Sequence, residues 1–358
     1  MTWSPPRLWK GAIRMRKISL DKLDLLFAKI AENQSLYIPS DSVEGAKFTK
    51  WTNGTALTNE LNTVRGIKDF FFPQSEDLMK FKMQGKNIEV IDIRDEHEDF
   101  VIFGARACDV RAMTVLDNVF LHAEPVDTYY KNRREHGIIM SLACTRPVET
   151  CFCGTFGIDA ANPEGDIVCH KTDDALYMNA VSEKGTALLD SLSDITEDAD
   201  TKAVDEQKAL IKERMTKLPL AELTTDAFGG GKTEKFFDSP EWAKLSESCL
   251  GCGTCTFVCP TCQCYDIRDF KTNDGVVRYR CWDSCMYSQF TRMAHGNNRN
   301  SQKERFRQRF MHKLVYYPEN NNGMFSCVGC GRCLAKCPIR MNIVKVMKAL
   351  EGTDNGSN

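Results

Sequence analysis

Residues 249–260 read CLGCGTCTFVCP, and residues 327–338 read CVGCGRCLAKCP. Both runs have the spacing C-x2-C-x2-C-x3-C-P, which is the pattern of two-cluster ferredoxins. Three closely spaced thiolates hold one face of a [4Fe–4S] cluster, and the fourth cysteine of each run ligates the other cluster. A single C-x-x-C pair is often a zinc site, whereas two complete runs that each end in proline indicate two [4Fe–4S] clusters.

This crossed ligation predicts two sets of four cysteines, each made of the first three cysteines of one run and the last of the other. The sets are Cys249, Cys252, Cys255 and Cys337, and Cys327, Cys330, Cys333 and Cys259. The glycines within both runs let the backbone curl tightly and direct N–H groups at the cluster sulfurs, which helps to set the reduction potential.

The remaining cysteines predict at least one further [4Fe–4S] cluster. The chain has 17 cysteines, and in a reducing compartment such spacings indicate metal rather than disulfides. Two groups could each supply ligands, with buried structural thiols as the alternative for every member. The groups are Cys108, Cys144, Cys151 and Cys153 in the first half, and Cys262, Cys264, Cys281 and Cys285 in the second. Cys169 stands alone, and we interpret it as structural.

Composition excludes some classes of partner. The formal net charge is -2, so nothing favours nucleic acid or an anionic membrane surface. The longest apolar runs fall far short of the roughly 20 residues that span a bilayer. The N-terminus has no apolar core typical of a secretory signal, which predicts the cytoplasm. Residues 1–14 are expected to be an extension before Met15, and 351–358 a flexible tail.

The predicted fold class is α+β. A mixed α/β domain is expected over 15–230, and a mainly helical, loop-rich, dicluster ferredoxin-like domain over 240–350, with an insertion at 260–326 that has no long strand pattern. The glycine-rich stretch 224–240 is interpreted as the linker. In the first domain, a strand, a turn, a helix and a strand predict a βαβ unit. The predicted elements are helices at 20–33 and 108–121, buried strands at 88–93, 100–105 and 137–143, and a charged, solvated helix within 194–217.

Several motifs occur together, and in this order, in a known family. The chain resembles the iron–sulfur electron-transfer component of anaerobic sulfite reductase, and is similar to the β subunit of sulfhydrogenases, over about residues 85 to 350. The motifs are FGARACDVRAMTVLD, REHG, CFCG, CPTCQCYDI, WDSCMY, HGNNR and CVGCGRCLAKCP. The family motifs include seven cysteines outside the two runs: Cys108, Cys144, Cys151, Cys153, Cys262, Cys264 and Cys285. Cys169 and Cys281 do not match the family pattern.

The resemblance implies a non-catalytic subunit of a cytoplasmic, multisubunit anaerobic oxidoreductase. Such a subunit relays single electrons between a flavoprotein that is linked to NAD(P)H and a catalytic subunit. The catalytic subunit would be sulfite reductase-, hydrogenase- or heterodisulfide reductase-like, and the flavin would be carried by the partner.

The alternative is an iron–sulfur subunit that carries its own flavin and substrate site in the N-terminal domain. The turn GARACDVRAM could place a ligand at a helix N-terminus. However, no G-x-G-x-x-G follows a strand, and FGGGKTEK has Asp226 where a phosphate loop needs glycine. The basic tract 299–313 could neutralise cluster charge, dock an acidic partner or form a solvated helix face.

Overall fold

The computed structural model describes residues 15–352, with 35% helix and 22% strand, and the predicted α+β class is confirmed. The strands are β1 (Met15–Ser19), β2 (Ser35–Ser40), β3 (Lys47–Lys50), β4 (Ser75–Gln84), β5 (Asn87–Asp92), β6 (Phe100–Ala105), β7 (Gly137–Leu142), β8 (Ile167–Lys171), β9 (Ala175–Ala180), β10 (Glu197–Asp198), β11 (Tyr265–Lys271), β12 (Gly275–Trp282), β13 (Arg292–Met293) and β14 (Gly296–Asn297).

The helices vary from single turns to about four turns. They are α1 (Leu23–Ala31), α2 (Lys68–Phe71), α3 (Ala107–Phe120), α4 (Thr128–His136), α5 (Glu183–Ser191), α6 (Lys202–Thr216), α7 (Thr233–Phe237), α8 (Glu241–Glu247), α9 (Thr254–Phe257), α10 (Gln302–Met311), α11 (Tyr317–Asn320), α12 (Arg332–Lys336) and α13 (Ile343–Gly352). A π-helical turn, His312–Tyr316, continues α10, and short 3-10 turns occur at Leu20–Lys22 and Cys153–Phe156.

The chain forms two compact units. The first comprises the described residues up to Phe71 together with His97–Glu222, and the second comprises Phe72–Glu96 and the described residues from Leu223 onward. This division differs from the expected 15–230 domain, because the β4–β5 hairpin belongs to the second unit. The predicted extension at 1–14 lies outside the described residues, as does most of the predicted tail.

The first unit is built on an eight-stranded mixed sheet with the order β10-β1-β9-β8-β7-β6-β2-β3. The four adjacent strands β8, β7, β6 and β2 run parallel to one another, whereas β9 and β3, which flank them, pair antiparallel. Every residue of β6 and β7 is buried, as expected for the centre of a parallel sheet covered on both faces. The predicted helices at 20–33 and 108–121, the strands at 100–105 and 137–143, and the βαβ unit are confirmed.

The second unit contains a four-stranded antiparallel sheet with the order β11-β12-β4-β5. The expectation that the insertion at 260–326 lacks long strands is therefore wrong, since β11 and β12 form a hairpin within it. The predicted strand at 88–93 exists as β5, but it is not buried. It is an edge strand, and Ile88 and Val90 are exposed.

The stretch 224–240 is not a linker. Phe228 and Phe236 are buried in the second unit, and their rings stack with centroids 5.2 Å apart. The N–H of Gly229 donates to the carbonyl of Leu314, and a Cβ on Gly230 would lie 2.8 Å from the Cα of Glu319. The glycines therefore permit close packing of this segment rather than free movement.

Candidate metal centres

The two cysteine runs have the same local backbone. Gly251 and Gly329 have φ values of 64° and 58°, and Gly253 and Gly331 have values of 74° and 75°. These are left-handed conformations that glycine adopts without steric cost. The second glycine of each run is the N-cap of a short helix, α9 in the first run and α12 in the second. The internal repeat in the sequence is thus a structural repeat.

The first predicted set of cysteines surrounds one cavity in the second unit. Three thiols come from the first run and one from the end of the second run. Met286 and Arg309 also line the cavity. The four cysteines are Cys249, Cys252, Cys255 and Cys337. Burial raises the pKa of Cys255 to about 11, so its thiolate needs a compensating positive charge such as iron.

The second predicted set is also gathered together. Cys259, from the first run, is close enough to interact electrostatically with the three thiols that begin the second run, which are Cys327, Cys330 and Cys333. Burial raises the pKa of Cys330 to about 12. The pKa of Cys259 is instead well below its usual range, because the Cys262 thiol donates a hydrogen bond to it and Lys313 and Arg309 are nearby.

The second-half cysteines outside the runs are divided. Cys262 contacts Cys259, and Cys264 forms a thiol hydrogen bond with Cys285 and also lies close to Cys262. Cys281 does not join them. Its charged neighbours are Arg268, Asp266 and Asp283, because β12 pairs Cys281 with Asp266 in the hairpin. The structure therefore brings together three of these four candidates.

The first-half candidates Cys108, Cys144, Cys151 and Cys153 are all buried in the first unit. Cys144 interacts with Cys151, and the N–H of Ala107, at the start of α3 beside Cys108, donates to the Cys144 sulfur. The side-chain amide of Asn62 donates to the Cys151 sulfur over 3.7 Å. Burial raises the pKa of Cys144 to about 11. Cys169 is fully buried in β8, in agreement with a structural role.

Helix α10 and the π-helical turn that continues it direct two cations at the cysteines of the second unit. The helix begins with a capping box, in which the Ser301 hydroxyl accepts from the Glu304 N–H and the Glu304 carboxylate accepts from the Ser301 N–H. Arg309 and Lys313 lie one turn apart and are 2% and 3% exposed. The sequence indicated only a basic tract at 299–313 and did not distinguish these two residues from their solvated neighbours.

The donors around the second-unit cysteines fit iron–sulfur clusters. The Nε and Nη1 atoms of Arg309 are buried without a hydrogen-bond partner, and so is the hydroxyl of Ser326, which precedes Cys327. Cluster sulfides and thiolates accept such hydrogen bonds. Within residues 15–352, no three His, Cys, Asp or Glu side chains converge as ligands of a single metal ion. A [4Fe–4S] cluster does not need that convergence, because each of its thiolates binds a different iron.

Within the described part of the chain, no helix is both long enough and apolar enough to cross a bilayer.

Comparison with known proteins identifies the class of these centres. Residues 248–341 match the family described as a 4Fe-4S dicluster domain. The chain is 37% identical to the sulfhydrogenase 2 subunit beta of Pyrococcus furiosus over 286 residues, which cover 77% of this chain and 80% of that protein. The similarity therefore extends well beyond the dicluster region. The chain is an iron–sulfur protein that belongs to the sulfhydrogenase β subunit family.

Proposed function

We propose that this chain is the electron-transfer subunit of a cytoplasmic, multisubunit anaerobic oxidoreductase. It relays single electrons between an NAD(P)H-linked flavoprotein subunit and a catalytic subunit of sulfite reductase-, hydrogenase- or heterodisulfide reductase-like type. The observation that carries the proposal is that the first three cysteines of each run are gathered with the fourth cysteine of the other. The 4Fe-4S dicluster match and the sulfhydrogenase relative support the same interpretation.

The chemistry of the two cysteine sets suits electron transfer rather than catalysis. Two [4Fe–4S] clusters, each held by four thiolates, have no open iron position for a substrate. The ligands we propose are Cys249, Cys252, Cys255 and Cys337 for one cluster, and Cys259, Cys327, Cys330 and Cys333 for the other. Electrons would enter and leave through the cluster edges, and substrate binding would belong to the partner subunits.

The partners can be tested by affinity purification of the chain from its native cells under anaerobic conditions, followed by mass spectrometry. A flavoprotein and a redox catalytic subunit are expected in stoichiometric amounts. In the isolated complex, NADH or NADPH should reduce the clusters. In the purified chain alone, neither nucleotide should reduce them. Reduction of the clusters by NAD(P)H in the purified chain alone would contradict the division of labour.

We further propose a third [4Fe–4S] cluster in the first unit, held by Cys108, Cys144, Cys151 and Cys153. The support is that all four thiols are buried in one unit and that Cys144 interacts with Cys151. The competing group in the second unit offers only Cys262, Cys264 and Cys285, since Cys281 lies among other neighbours.

Iron analysis of the anaerobically reconstituted chain tests this third cluster. We expect about twelve irons per chain, and about eight would refute a further cluster. The double variant Cys144→Ala, Cys151→Ala should lose about four irons. The matched control is Cys169→Ala, another buried thiol of the same unit, which should lose none. If the variant Cys264→Ala, Cys285→Ala loses the third cluster instead, the assignment to the first unit is wrong.

A cavity in the first unit supports a second candidate function, in which the chain binds its own flavin. The cavity has a volume of about 610 Å³ and is lined by Arg106, Leu142 and Lys171, which follow or end the parallel strands β6, β7 and β8. Ligands of open parallel sheets bind at this edge. A flavin absorption spectrum in the purified chain would favour this function, and its absence after incubation with FMN or FAD would exclude it.

A further inference from the structure

Arg309 and Lys313 are buried cations without a carboxylate partner among residues 15–352. Lys313 donates to the Thr261 hydroxyl over 2.7 Å and to the Ser326 carbonyl over 3.4 Å. Arg309 donates from Nη2 to the Cys255 carbonyl over 3.1 Å, and its Nε and Nη1 atoms have no partner. A buried charge that only neutral groups surround is strongly unfavourable, so a nearby negative charge must compensate for it.

The nearest groups that can carry this negative charge are cysteines, namely members of the two sets and Cys262, which lies beside both cations. The two cations are distributed differently between the two sets. Arg309 lies beside Cys255 of the first set and Cys333 of the second, and it also lines the cavity of the first set. Lys313 lies beside Cys259 and Cys327, both of the second set. Arg309 is therefore shared, whereas Lys313 belongs to one set.

We propose that Arg309 and Lys313 set the reduction potentials of the two clusters, Arg309 acting on both and Lys313 on the cluster of the second set. This inference rests on the ligand sets proposed above. On reduction, a cluster gains one electron from its donor and becomes more negative by one charge. A fixed cation in a medium of low dielectric stabilises this reduced form and raises the potential.

The neighbouring positive charges on α10 have other contacts. The guanidinium of Arg307 lies over the ring of Phe237 and donates a hydrogen bond to the backbone carbonyl of Phe237. Arg305 donates to the carbonyls of Arg299 and Asn300. Arg307 thus provides a matched control, because it is an arginine of the same helix whose charge faces away from the cysteines.

The test is an anaerobic redox titration of the reconstituted chain, monitored by electron paramagnetic resonance (EPR) with dithionite as the reductant. Arg309→Met should make reduction of both clusters less favourable by about tenfold, which is ~59 mV for a one-electron couple. Lys313→Met should shift one cluster by a similar amount and leave the other unchanged. Arg307→Met should shift neither. Unchanged potentials in Arg309→Met and Lys313→Met, at full iron content, would overturn the inference.

If Arg309→Met loses a cluster, the role of Arg309 is tested with a charge-conserving variant and with the wild type. Arg309→Lys keeps the charge and should retain potentials near those of the wild type. In the wild type with ¹⁵N-labelled arginine, the reduced clusters should show hyperfine coupling to an arginine nitrogen, which Arg309→Lys abolishes. Absence of that coupling in the wild type overturns the role of Arg309. A wild-type chain without two cluster signals would instead refute the proposed function itself, which is a separate result.

Discussion

Gly253 combines a left-handed conformation with a close contact, and its replacement should weaken the first cluster site. It is the N-cap of α9, with φ at 74°, between Cys252 and Cys255. A Cβ at this position would lie 2.6 Å from the Tyr287 hydroxyl oxygen and 2.8 Å from two ring carbons. Gly253→Ala must therefore adopt a strained backbone and also displace the tyrosine.

The two effects can be given separate magnitudes. A left-handed residue with a Cβ costs about 1–2 kcal/mol. Displacing Tyr287 breaks its hydrogen bond to the Cys252 carbonyl, which spans 3.2 Å, and disturbs its contact with the Phe257 ring. Lost packing and one lost hydrogen bond add about 1–2 kcal/mol. The substitution should therefore lower the free energy of unfolding by about 2–4 kcal/mol.

The assay is the denaturant midpoint of the anaerobically reconstituted chain, together with its iron content. Gly253→Ala should lower the midpoint and lose about four irons, those of the first set. Gly323→Ala is the control, because Gly323 has φ at 81° and open space around its Cβ position, so only the backbone cost of about 1–2 kcal/mol applies.

A double-mutant cycle isolates the contact with the tyrosine. In a Tyr287→Ala background, Gly253→Ala should cost only the backbone contribution of about 1–2 kcal/mol. An equal cost in both backgrounds would show that the tyrosine contact does not contribute, and the steric explanation would then be wrong.

Two further predictions concern the first unit. Asp117 forms a bidentate ion pair with Arg134 at 2.8 and 2.9 Å and accepts from the Tyr130 hydroxyl at 2.8 Å. Asp117→Asn should destabilise this unit by about 3 kcal/mol in chemical denaturation, whereas Tyr130→Phe should cost about 1 kcal/mol; equal costs would contradict a dominant role for the ion pair. Burial lowers the pKa of His170, whose Nε2 contacts the Ala161 carbonyl at 2.9 Å. Because the unfolded chain binds the proton more readily, the stability of the folded chain should fall as the pH decreases below about 6.5. His170→Gln should flatten this pH dependence, as measured by pH-corrected hydrogen exchange. An unchanged slope in His170→Gln would show that His170 does not cause the pH dependence.

Local patterns in the sequence were sufficient for the centre of the first unit. The apolar runs of β6 and β7 are long enough, and α3 between them regular enough, to predict a buried βαβ unit without tertiary information. The hairpin of β11 and β12 was missed because its residues alternate with charges, and because β12 is stabilised by pairing with the distant strand β4. The buried ion pair between Arg280 and Glu76 joins residues 204 positions apart, which no local pattern reveals.

The candidate site was predictable to the extent that spacing determines it. Cluster ligands are set by short, fixed spacings, so both cysteine sets could be predicted from the sequence. The cations Arg309 and Lys313 could not be separated from Arg307, because the orientation of α10 against the cysteine runs depends on tertiary packing. The same limit applies to Cys281, which shares a short motif with Cys285 but faces other neighbours in the sheet.

Each cluster is proposed to take its fourth ligand from the other cysteine run, and the electron-transfer function depends on this arrangement. The most direct test compares the EPR spectra of the reduced, reconstituted variants Cys252→Ala, Cys337→Ala and Cys330→Ala. Crossed ligation predicts that Cys252→Ala and Cys337→Ala alter the same cluster signal, and that Cys330→Ala alters the other one. If Cys337→Ala and Cys330→Ala alter the same signal while Cys252→Ala alters a different one, each run holds its own cluster and crossed ligation is wrong.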